Sequence, residues 1–397
     1  MKTAAIICEY NPLHNGHVWH IERTREEFGC DAVICIISGH FVQRGEPAFI
    51  DKWSRANTAV QCGADLAIEL PSPYALLSAE GFAQSGAYIA DACGVVDVLS
   101  FGSESGDIDI IKSCAAALDD AGLAERIRAI MKSGVSFAAA RQSALAEKNP
   151  ACASLLDSPN NILAVEYVRA LNRLNSRIVP VTVKRTAVRH DSHTSAGGFA
   201  SSSMIRRMLS DGRYGEAASL MPRAACELCL DSLKRSAFNP MIFERIALNS
   251  LRAMDTSAQA LPPDISEGIE NRIIKNAAVS RSLAQFYELT RSRRYPLSRI
   301  RRIAMNTVLG YRASLTSAPP PYIRMLAMNG TGRLLMRQIK EKASLPVIVK
   351  PAHINKAGSR AIDVFRAENR ASSLLSLCGD EAGCGSLDYT TDPVVLE

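Results

Sequence analysis

Two histidines near the start of the chain have the residue type and the spacing to act on a phosphate group. His14 and His17 stand on either side of Gly16, in the run HNGH. Residues three apart on a helix share one face, so a helix that begins here would bring the two imidazoles together. Imidazole N–H groups can stabilise the charge that builds on phosphoryl oxygens during displacement at phosphorus. A core histidine beside a capping histidine is the structural alternative.

The flanking residues predict the strand and the helix that would position this pair. Residues 4–8 form a short apolar run that ends in turn-forming residues, which predicts a buried strand. Asn11 and Pro12 stop the strand, and residues 18–28 have helical spacing. A helix N-terminus attracts phosphate through its unpaired N–H groups and its dipole, and Gly16 lets a ligand approach the backbone. Together these features favour the phosphate-binding interpretation.

The elements that follow alternate between strand and helix. Apolar runs predict further strands at residues 32–37, 66–71, 96–101 and 178–183. Helical spacing lies between them, at residues 52–62, 79–92, 110–145 and 201–209. This order is typical of an α/β fold with a parallel sheet. The polar loop at residues 38–47 ends a strand, where such sheets bind their ligands.

The pattern changes past about residue 225. Strand-like runs disappear, and helical spacing continues at residues 243–254, 268–278, 281–290, 297–309 and 333–342. We therefore predict two domains, a catalytic domain over residues 1–225 and a smaller, mainly helical domain over residues 226–397. The tail from about residue 370 is rich in small and acidic residues, and we expect it to be loosely packed.

The composition bounds the class of protein. With 397 residues, 47% hydrophobic and 22% charged, the chain is typical of a globular protein with a sizeable core. It contains no run of about 18 apolar residues that could span a membrane. The first strand begins at the N-terminus with no signal segment before it. We therefore expect a cytoplasmic protein with no membrane partner.

The 11 cysteines are scattered rather than arranged as a framework. Their odd number and their apolar surroundings predict reduced, packed thiols. Cys226 and Cys229 form a CxxC pair, but no second pair stands at the spacing of a zinc site. We therefore predict no metal ligands in this chain.

Several later residues could bind a nucleotide at the strand ends. Gly102 follows a strand and could let a base or ribose lie against the backbone, or could simply be a turn residue. Asn160 and Asn161 begin a helix, where a single N-cap would explain one asparagine. Arg185 follows another strand and suits a polyphosphate, although a solvated surface arginine fits equally well. Residues 201–206 place three serines at a helix start with Arg206 one turn inside, which favours a second phosphate site.

A dense basic run at residues 291–302 contains six arginines and no acidic residue. A solvated helical face is the usual explanation of a charge run, but such faces normally mix signs. Arginines on a helix start can follow a phosphate backbone, and Tyr295 could stack on a base. The run therefore favours RNA binding, in a chain of net charge +6. The candidate nucleic-acid contacts are Arg293, Arg294, Tyr295, Arg299, Arg301 and Arg302.

These motifs resemble those of a known family. HNGH at residues 14–17 is similar to the HxGH signature of the nucleotidylyltransferase superfamily, and EYNPLHNGH at residues 9–17 resembles the bacterial tRNA(Met) cytidine acetate ligases. Further motifs of that family match SGHF at 38–41, QRGEPA at 43–48, FGSE at 101–104 and PNNIL at 159–163. SSSMIR at residues 201–206 is similar to the serine-rich motif of HxGH adenylyltransferases. The resemblance covers the first 210 residues well and continues weakly beyond them.

The resemblance implies a Rossmann-like nucleotidylyltransferase fold in which His14 and His17 are catalytic. It also implies that ATP contacts the first loop, the strand-end glycine, an asparagine of the PNN motif (Asn161 before Asn160) and a later arginine. With the serine-rich motif, the candidate ATP contacts are Ile7, Cys8, Glu9, Tyr10, Asn11, Pro12, Leu13, Asn15, Gly16, His20, Gly102, Asn160, Asn161, Arg185, Ser202, Ser203 and Arg206.

The resemblance further implies a two-step reaction. Acetate and ATP would give acetyl-adenylate and pyrophosphate, with Mg²⁺ expected on the polyphosphate. The acetyl group would then pass to N4 of the wobble cytidine of elongator tRNA(Met). Two alternatives stay open: an adenylyltransferase that makes a dinucleotide cofactor, and a non-catalytic RNA-binding protein built on a nucleotide fold. Neither the acetate pocket nor the oligomeric state follows from the sequence.

Overall fold

The structure is a computed structural model, and it describes residues 1–185, 199–236, 238–257, 259–266, 268–379 and 381–397. Among these residues, no helix has both the length and the apolar character needed to cross a bilayer.

The strands are β1 (Thr3–Cys8), β2 (Ala32–Ser38), β3 (Phe41–Val42), β4 (Glu46–Pro47), β5 (Leu66–Leu70), β6 (Val98–Ser103), β7 (Val179–Lys184), β8 (Ile323–Met328), β9 (Val347–Ile348) and β10 (Val394–Val395). The helices of the first part of the chain are α1 (Asn15–Phe28), α2 (Lys52–Gln61), α3 (Ser72–Ala75), α4 (Ala79–Ala92), α5 (Ile108–Leu118), α6 (Ala121–Met131), α7 (Phe137–Lys148), α8 (Pro150–Leu155), α9 (Pro159–Arg173), α10 (Ser202–Ser210) and α11 (Tyr214–Ser219).

The later helices are α12 (Arg223–Ser236), α13 (Pro240–Arg252), α14 (Ile269–Val279), α15 (Leu283–Thr290), α16 (Leu297–Val308), α17 (Gly330–Lys342), α18 (Ser359–Ser376) and α19 (Leu387–Thr390). Two 3₁₀ helices lie at Ala313–Thr316 and Pro351–Lys356.

One sheet carries the fold, with the strand order β10-β8-β5-β2-β1-β6-β7 and β9 paired to β8. Strands β5, β2, β1, β6 and β7 run parallel, whereas β8 is antiparallel to β5. Strands β3 and β4 form a separate hairpin. The five predicted strands and the α/β class are therefore confirmed. Parallel strands bring their carboxyl ends to one edge of the sheet, and this edge is where the sequence predicted the site.

The sheet is covered by helices on both faces, as its near-continuous apolar strands require. In β2, Ile34 and Ile36 pack into the hydrophobic core that contains α4, α5 and α9. The alternate residues Val33, Cys35 and Ile37 pack into a second core with α1, α2 and α10. A third cluster joins helices α13 to α16.

The prediction that strands disappear after residue 225 is wrong, because β8, β9 and β10 all lie beyond it. Strand β8 joins the sheet beside β5, and β10 pairs with β8. Strand β8 therefore belongs to the same sheet as the strands of the first part of the chain. The domain boundary at residues 225 and 226 remains a prediction. Helices α12 to α16 follow one another in the chain between the strands β7 and β8.

The expectation of a loosely packed tail is wrong for residues 371–378 and for Asp388, whereas residues 381–385 are exposed. Ala371 and Cys378 are fully buried, and so is the carboxylate of Asp388. Lys52 Nζ lies 2.5 Å from Asp388 Oδ1, 2.9 Å from Glu368 Oε1 and 2.5 Å from Glu69 Oε1, with no side chain of the four exposed. We call these four residues, with Arg324 on β8, the buried ion cluster.

The buried ion cluster fastens the tail to the sheet. Arg324 pairs with both Glu69 and Asp388. Burial by itself favours the neutral amine of Lys52, but the three surrounding carboxylates raise its pKa above the ordinary value. The lysine therefore stays charged and offsets the carboxylates, which a dry interior would otherwise disfavour.

Candidate active site

The two histidines are fixed by the start of α1. His14 is the N-cap, and its Nδ1 accepts a hydrogen bond from the Gly16 N–H at 3.1 Å. His17 Nδ1 accepts from the His14 N–H at 3.3 Å, which completes a reciprocal capping box. The two rings stack with their centroids 3.8 Å apart and their planes 24° apart. The prediction that the imidazoles share one face is confirmed.

This capping arrangement decides what the rings can do. In a neutral imidazole whose Nδ1 accepts a hydrogen bond, the proton sits on Nε2, which is then a donor. Both histidines line a cleft at the carboxyl ends of the strands. The stacked pair therefore holds two N–H donors beside the positive end of a helix dipole, an arrangement suited to phosphoryl oxygens.

The cleft has a volume of about 1020 Å³ and is lined at its centre by the end of β1 and the loop that follows it. Of the first-loop candidates, Ile7, Cys8, Glu9, Tyr10 and Asn11 line the cleft together with His20. Leu13 packs instead in the core beside α1. Pro12, Asn15 and Gly16 do not line the cleft, and they form the turn and the start of α1.

Glu9 is held by the β3–β4 hairpin. The sequence predicted this segment only as part of a polar, ligand-binding loop at residues 38–47. Glu9 Oε1 accepts a hydrogen bond from the Gln43 N–H at 2.8 Å, at the tip of the β3–β4 hairpin. Burial raises the pKa of the Glu9 carboxyl. Gln43, Arg44 and Glu46 line the cleft, so the hairpin forms one of its walls.

Gly102, Arg185 and His20 lie together on the α1 side of the sheet. A Cβ on Gly102 would lie 3.2 Å from Arg185 Cγ, so a larger residue would displace the arginine side chain by a few tenths of an ångström. His20 Nε2 bonds to Ser100 Oγ at 3.0 Å. Burial, with the nearby charge of Arg185, lowers the pKa of His20 to about 4. His20 is therefore neutral at neutral pH, and Arg185 supplies the positive charge here.

The two asparagines have different positions. Asn161 Oδ1 accepts hydrogen bonds from the Glu104 and Ser105 N–H groups at 2.9 and 3.1 Å, which fixes the loop after β6. Asn160 lines the cleft, and its Nδ2 donates to Glu104 Oε1 at 2.6 Å. The N-cap of α9 is Ser158, so neither asparagine is explained by capping. Asn161 does not line the cleft, and its contact with ATP stays a prediction.

The serine-rich helix faces the first loop. Ser201 caps α10 by accepting from the Met204 N–H, and Ser202 Oγ donates to the Pro12 carbonyl at 3.3 Å. Arg206 donates to the Asn11 carbonyl at 2.8 Å and pairs with Glu46 at 2.9 Å. The start of α10, including Ser203, lines the cleft with the start of α1. Two helix N-termini therefore converge on one space.

The basic run adjoins this cleft through the hairpin. Gly45 has φ +75°, and a Cβ there would lie 2.5 Å from the backbone of Arg301 and Arg302, so the hairpin tip packs directly on α16. Arg294, Arg299, Arg301 and Arg302 line the cleft, whereas Arg293 does not. The candidate RNA-binding segment therefore lies beside the candidate ATP site.

The arginines of the run are not equivalent. Arg302 pairs with Asp264 at 3.2 Å, and Arg299 Nη2 donates to Ser266 Oγ at 2.6 Å. Arg293 and Arg294 are exposed. These two are the members of the run best placed to meet a partner.

One prediction for the run needs correction. Tyr295 is only 8% exposed and packs in the third hydrophobic cluster. The guanidinium groups of Arg294 and Arg299 lie 6.0 and 5.6 Å from its ring. The ring is therefore covered by its own chain, and the base-stacking role is withdrawn.

The opposite half of the cleft was missed by the sequence analysis. It is formed by α4, α7 and α9 with Met131, the last residue of α6, and we call it the α9 half. Its side chains have helical spacing and apolar character, which the sequence alone cannot distinguish from core packing. The residues that line it include Phe82, Phe101, Met131, Phe137, Arg141, Leu163, Glu166 and Tyr167.

Comparisons with known proteins agree with this architecture. The model of the HIGH Nucleotidyl Transferase family matches residues 1–384. The tRNA(Met) cytidine acetate ligases of Thermoanaerobacter pseudethanolicus and Clostridium novyi are 34% and 33% identical to the chain, over 98% and 100% of both sequences.

Solved structures give the same result. Two crystal structures of Thermotoga maritima TmcAL, one apo and one bound with alpha-thio ATP, match with TM-scores of 0.93 and 0.92 at 29% identity, over 100% of both chains. The family resemblance of the motifs is confirmed. The chain belongs to the HIGH nucleotidyl transferases and, within them, to the tRNA(Met) cytidine acetate ligase family.

Proposed function

We propose that this protein is an ATP-dependent ligase that acetylates N4 of the wobble cytidine of elongator tRNA(Met). The observation that carries the proposal is the pair of imidazole donors at a helix N-terminus, in a chain whose relatives bear the name of this activity along nearly their whole length. Since tRNA is the proposed substrate, the proposal places the enzyme in the cytoplasm.

The first step is displacement at phosphorus. An acetate oxygen attacks the α-phosphorus of ATP, the bond to the β-phosphate oxygen breaks, and pyrophosphate leaves with the electron pair. The Nε2–H groups of His14 and His17 would stabilise the charge on the α-phosphoryl oxygens. Arg206 and the N-terminus of α10 would hold the β- and γ-phosphates. This chemistry depends on positioning and charge stabilisation, so no covalent nucleophile is needed.

The second step is acyl transfer. The N4 amine attacks the acetyl carbonyl carbon, the bond to the AMP oxygen breaks, and AMP leaves with the electron pair. The amine loses one proton to water, which gives N4-acetylcytidine.

Mg²⁺ is part of the proposal as a companion of ATP. The ion prefers oxygen ligands and takes most of them from phosphates and water, with one or two carboxylates. Glu9 and Glu46 are carboxylates that line the cleft on the side of the hairpin. One oxygen of each is already bonded, Glu9 Oε1 to the Gln43 N–H and Glu46 Oε1 to Arg206, so the second oxygen of each would be the ligand for the ion. Bound there, it would neutralise charge on the polyphosphate.

Gly16→Ala is expected to slow adenylate formation without loss of stability. A Cβ here would lie 3.0 Å from Cε1 and 3.2 Å from Nδ1 of His14, so the ring must shift. Alanine otherwise favours a helix over glycine by roughly 0.5–1 kcal/mol. We expect about a tenfold lower rate of acetate-dependent ATP–pyrophosphate exchange, with an unchanged melting temperature. An unchanged exchange rate would show that the position of the His14 ring is unimportant.

Replacing Arg293, Arg294 and Arg301 together is expected to weaken tRNA binding while sparing adenylation. Each lost phosphate contact reduces the salt dependence of binding by about one counterion. Filter binding at several salt concentrations should show a lower affinity and a flatter slope. The matched control replaces Arg223, Arg213 and Arg126, which pair with glutamates elsewhere on the surface. Equal tRNA affinity in both triple variants would count against a binding role for the run.

Mass spectrometry of tRNA nucleosides tests the function as a whole. After incubation with ATP and acetate, the proposal predicts N4-acetylcytidine in tRNA(Met), dependent on all three substrates. A dinucleotide product from ATP and a nucleotide monophosphate would favour a cofactor-making adenylyltransferase. Pyrophosphate release at background with tRNA still bound would favour a non-catalytic RNA-binding protein.

A further inference from the structure

The cleft has two halves that lie on opposite faces of the sheet. In β6, Ser100 bonds to His20 on the α1 face, and Gly102 two residues later contacts Arg185 on that same face. The intervening Phe101 packs against Tyr167 of α9 on the other face, with the ring centroids 5.5 Å apart. His20, Gly102 and Arg185 therefore lie on the α1 side, whereas the candidate ATP residue Asn160, at the start of α9, lines the cleft with the residues of the α9 half.

The α9 half adjoins the place where the acetyl group would form. Ile7 at the end of β1 packs on α4, against Gly86. Tyr167 is close enough to Cys8 and Glu9 for their charges to add to the effect of burial in raising its pKa. A ligand in this half would therefore lie across the β1 terminus from His14 and His17.

The α9 half combines aromatic walls with an unused donor. Arg141 Nη1 donates to Glu166 Oε1 at 2.8 Å, and the arginine side chain is 12% exposed. The Arg141 Nε–H is buried and has no hydrogen-bond partner among the residues that the structure describes. A buried donor without an acceptor is costly, and a bound ligand is one explanation for its persistence.

Phe137 gives this half a surface for stacking. It is the first residue of α7 and is 51% exposed, although its ring lies 5.9 Å from the Arg141 guanidinium. An exposed aromatic ring beside an arginine edge is a common platform for an unstacked nucleobase.

We propose that the α9 half binds the acceptor base as an extruded cytosine, with Phe137 stacked on the ring and the Nε edge of Arg141 donating to O2 and N3. This inference rests on the proposed function and names the pocket for its second substrate. Two adjacent acceptors suit the fixed fork of an arginine. The N4 amine stays outside that fork and faces the acetyl group.

The same contact distinguishes cytosine from uracil. Cytosine N3 is an acceptor, whereas uracil carries a hydrogen on N3 and would set a donor against the Arg141 donor. A mismatch of this kind leaves two groups unpaired in a site that excludes water. Arg141 is thus a specificity-determining residue for the acceptor base.

The test is Arg141→Lys, which keeps the positive charge beside Glu166 but lacks the fork. We expect kcat/KM for tRNA acetylation to fall about 5- to 150-fold, with acetate-dependent ATP–pyrophosphate exchange within about twofold of the parent. The parent should bind tRNA(Met) more tightly than a transcript with uridine at the wobble position, and the variant should lose that preference. The control is Arg126→Lys, which alters an exposed arginine–glutamate pair on the adjacent helix and should change neither quantity.

Phe137→Ala provides a second test that does not disturb the buried ion pair. We expect it to lower kcat/KM for tRNA about 5- to 150-fold through lost stacking, with an unchanged melting temperature and unchanged exchange. Retained preference for cytidine in Arg141→Lys, or an equal loss of exchange and acetylation in both variants, would overturn the base pocket. Absence of acetate-dependent exchange in the parent would instead overturn the proposed function itself.

Discussion

His17→Ala should lower the rate of acetate-dependent pyrophosphate release by about 10²-fold or more while the protein stays folded. Removing one donor that stabilises developing charge has an effect of this size in other enzymes. The structure adds a second consequence, because His17 Nδ1 also accepts the His14 N–H. The alanine variant therefore loses both a cap and a catalytic donor.

Two further substitutions separate these losses. His17→Asn places an amide oxygen near the position of Nδ1 and nothing at Nε2. It should therefore keep the hydrogen bond from the His14 N–H and lower the rate of pyrophosphate release as much as His17→Ala does. His17→Gln extends an amide toward the position of Nε2 and should recover part of the rate. His353 is a matched control, since its Nδ1 likewise accepts a backbone N–H three residues earlier, that of Lys350 at 3.5 Å, at a helix start away from the cleft. A His17→Asn variant with the parental rate would refute the role of Nε2.

Lys52→Met should lower the free energy of unfolding by about 3–5 kcal/mol, which is the usual effect of removing one partner from a buried ion pair. Lys52 is fully buried between Glu69, Glu368 and Asp388. Without it Arg324 still pairs with Glu69 and Asp388, but Glu368 loses its ammonium partner. Denaturant titration measures the change.

The control for this variant is Lys148→Met. Lys148 pairs with Asp120 at 3.0 Å, but both side chains are about half exposed. Such pairs contribute roughly 0–1 kcal/mol, so this variant should stay close to the parent. If the two methionine variants had the same stability, the buried ion cluster would not be what fastens the tail to the sheet.

The sequence predicted those elements whose signals are local. Strands β1, β2, β5, β6 and β7 are short apolar runs bounded by turn residues, and each was found within about two residues. The start of α1 was equally clear, since the capping residues and the glycine are adjacent in the chain.

The elements that depend on distant partners were missed. Strand β8 carries Arg324 in an otherwise apolar run, and its charge is compatible with a buried strand because Asp388 and Glu69 lie against it. The same contact buries a tail whose composition suggests loose packing. Nothing in the sequence near either residue reveals the pair.

The functional site likewise contains residues with local signals, which were predicted, and residues that depend on distant partners, which were missed. Several residues at the ends of β1 and β6, Glu9, Tyr10 and Gly102 among them, line the cleft because strand ends converge at one edge of a parallel sheet, and their contacts with ATP stay predictions. The α9 half was missed because Arg141 and Glu166 belong to separate helices and because Phe82 and Phe137 have the spacing of core residues. Tyr295 was misassigned for the opposite reason, since an aromatic residue within a basic run gives no sign that its ring is buried.

A crystal structure with a non-hydrolysable ATP analogue tests the central claim most directly. We expect the α-phosphate within hydrogen-bond distance of Nε2 of His14 and His17, with the β- and γ-phosphates toward the start of α10. A nucleotide bound elsewhere, with this cleft empty, would contradict it.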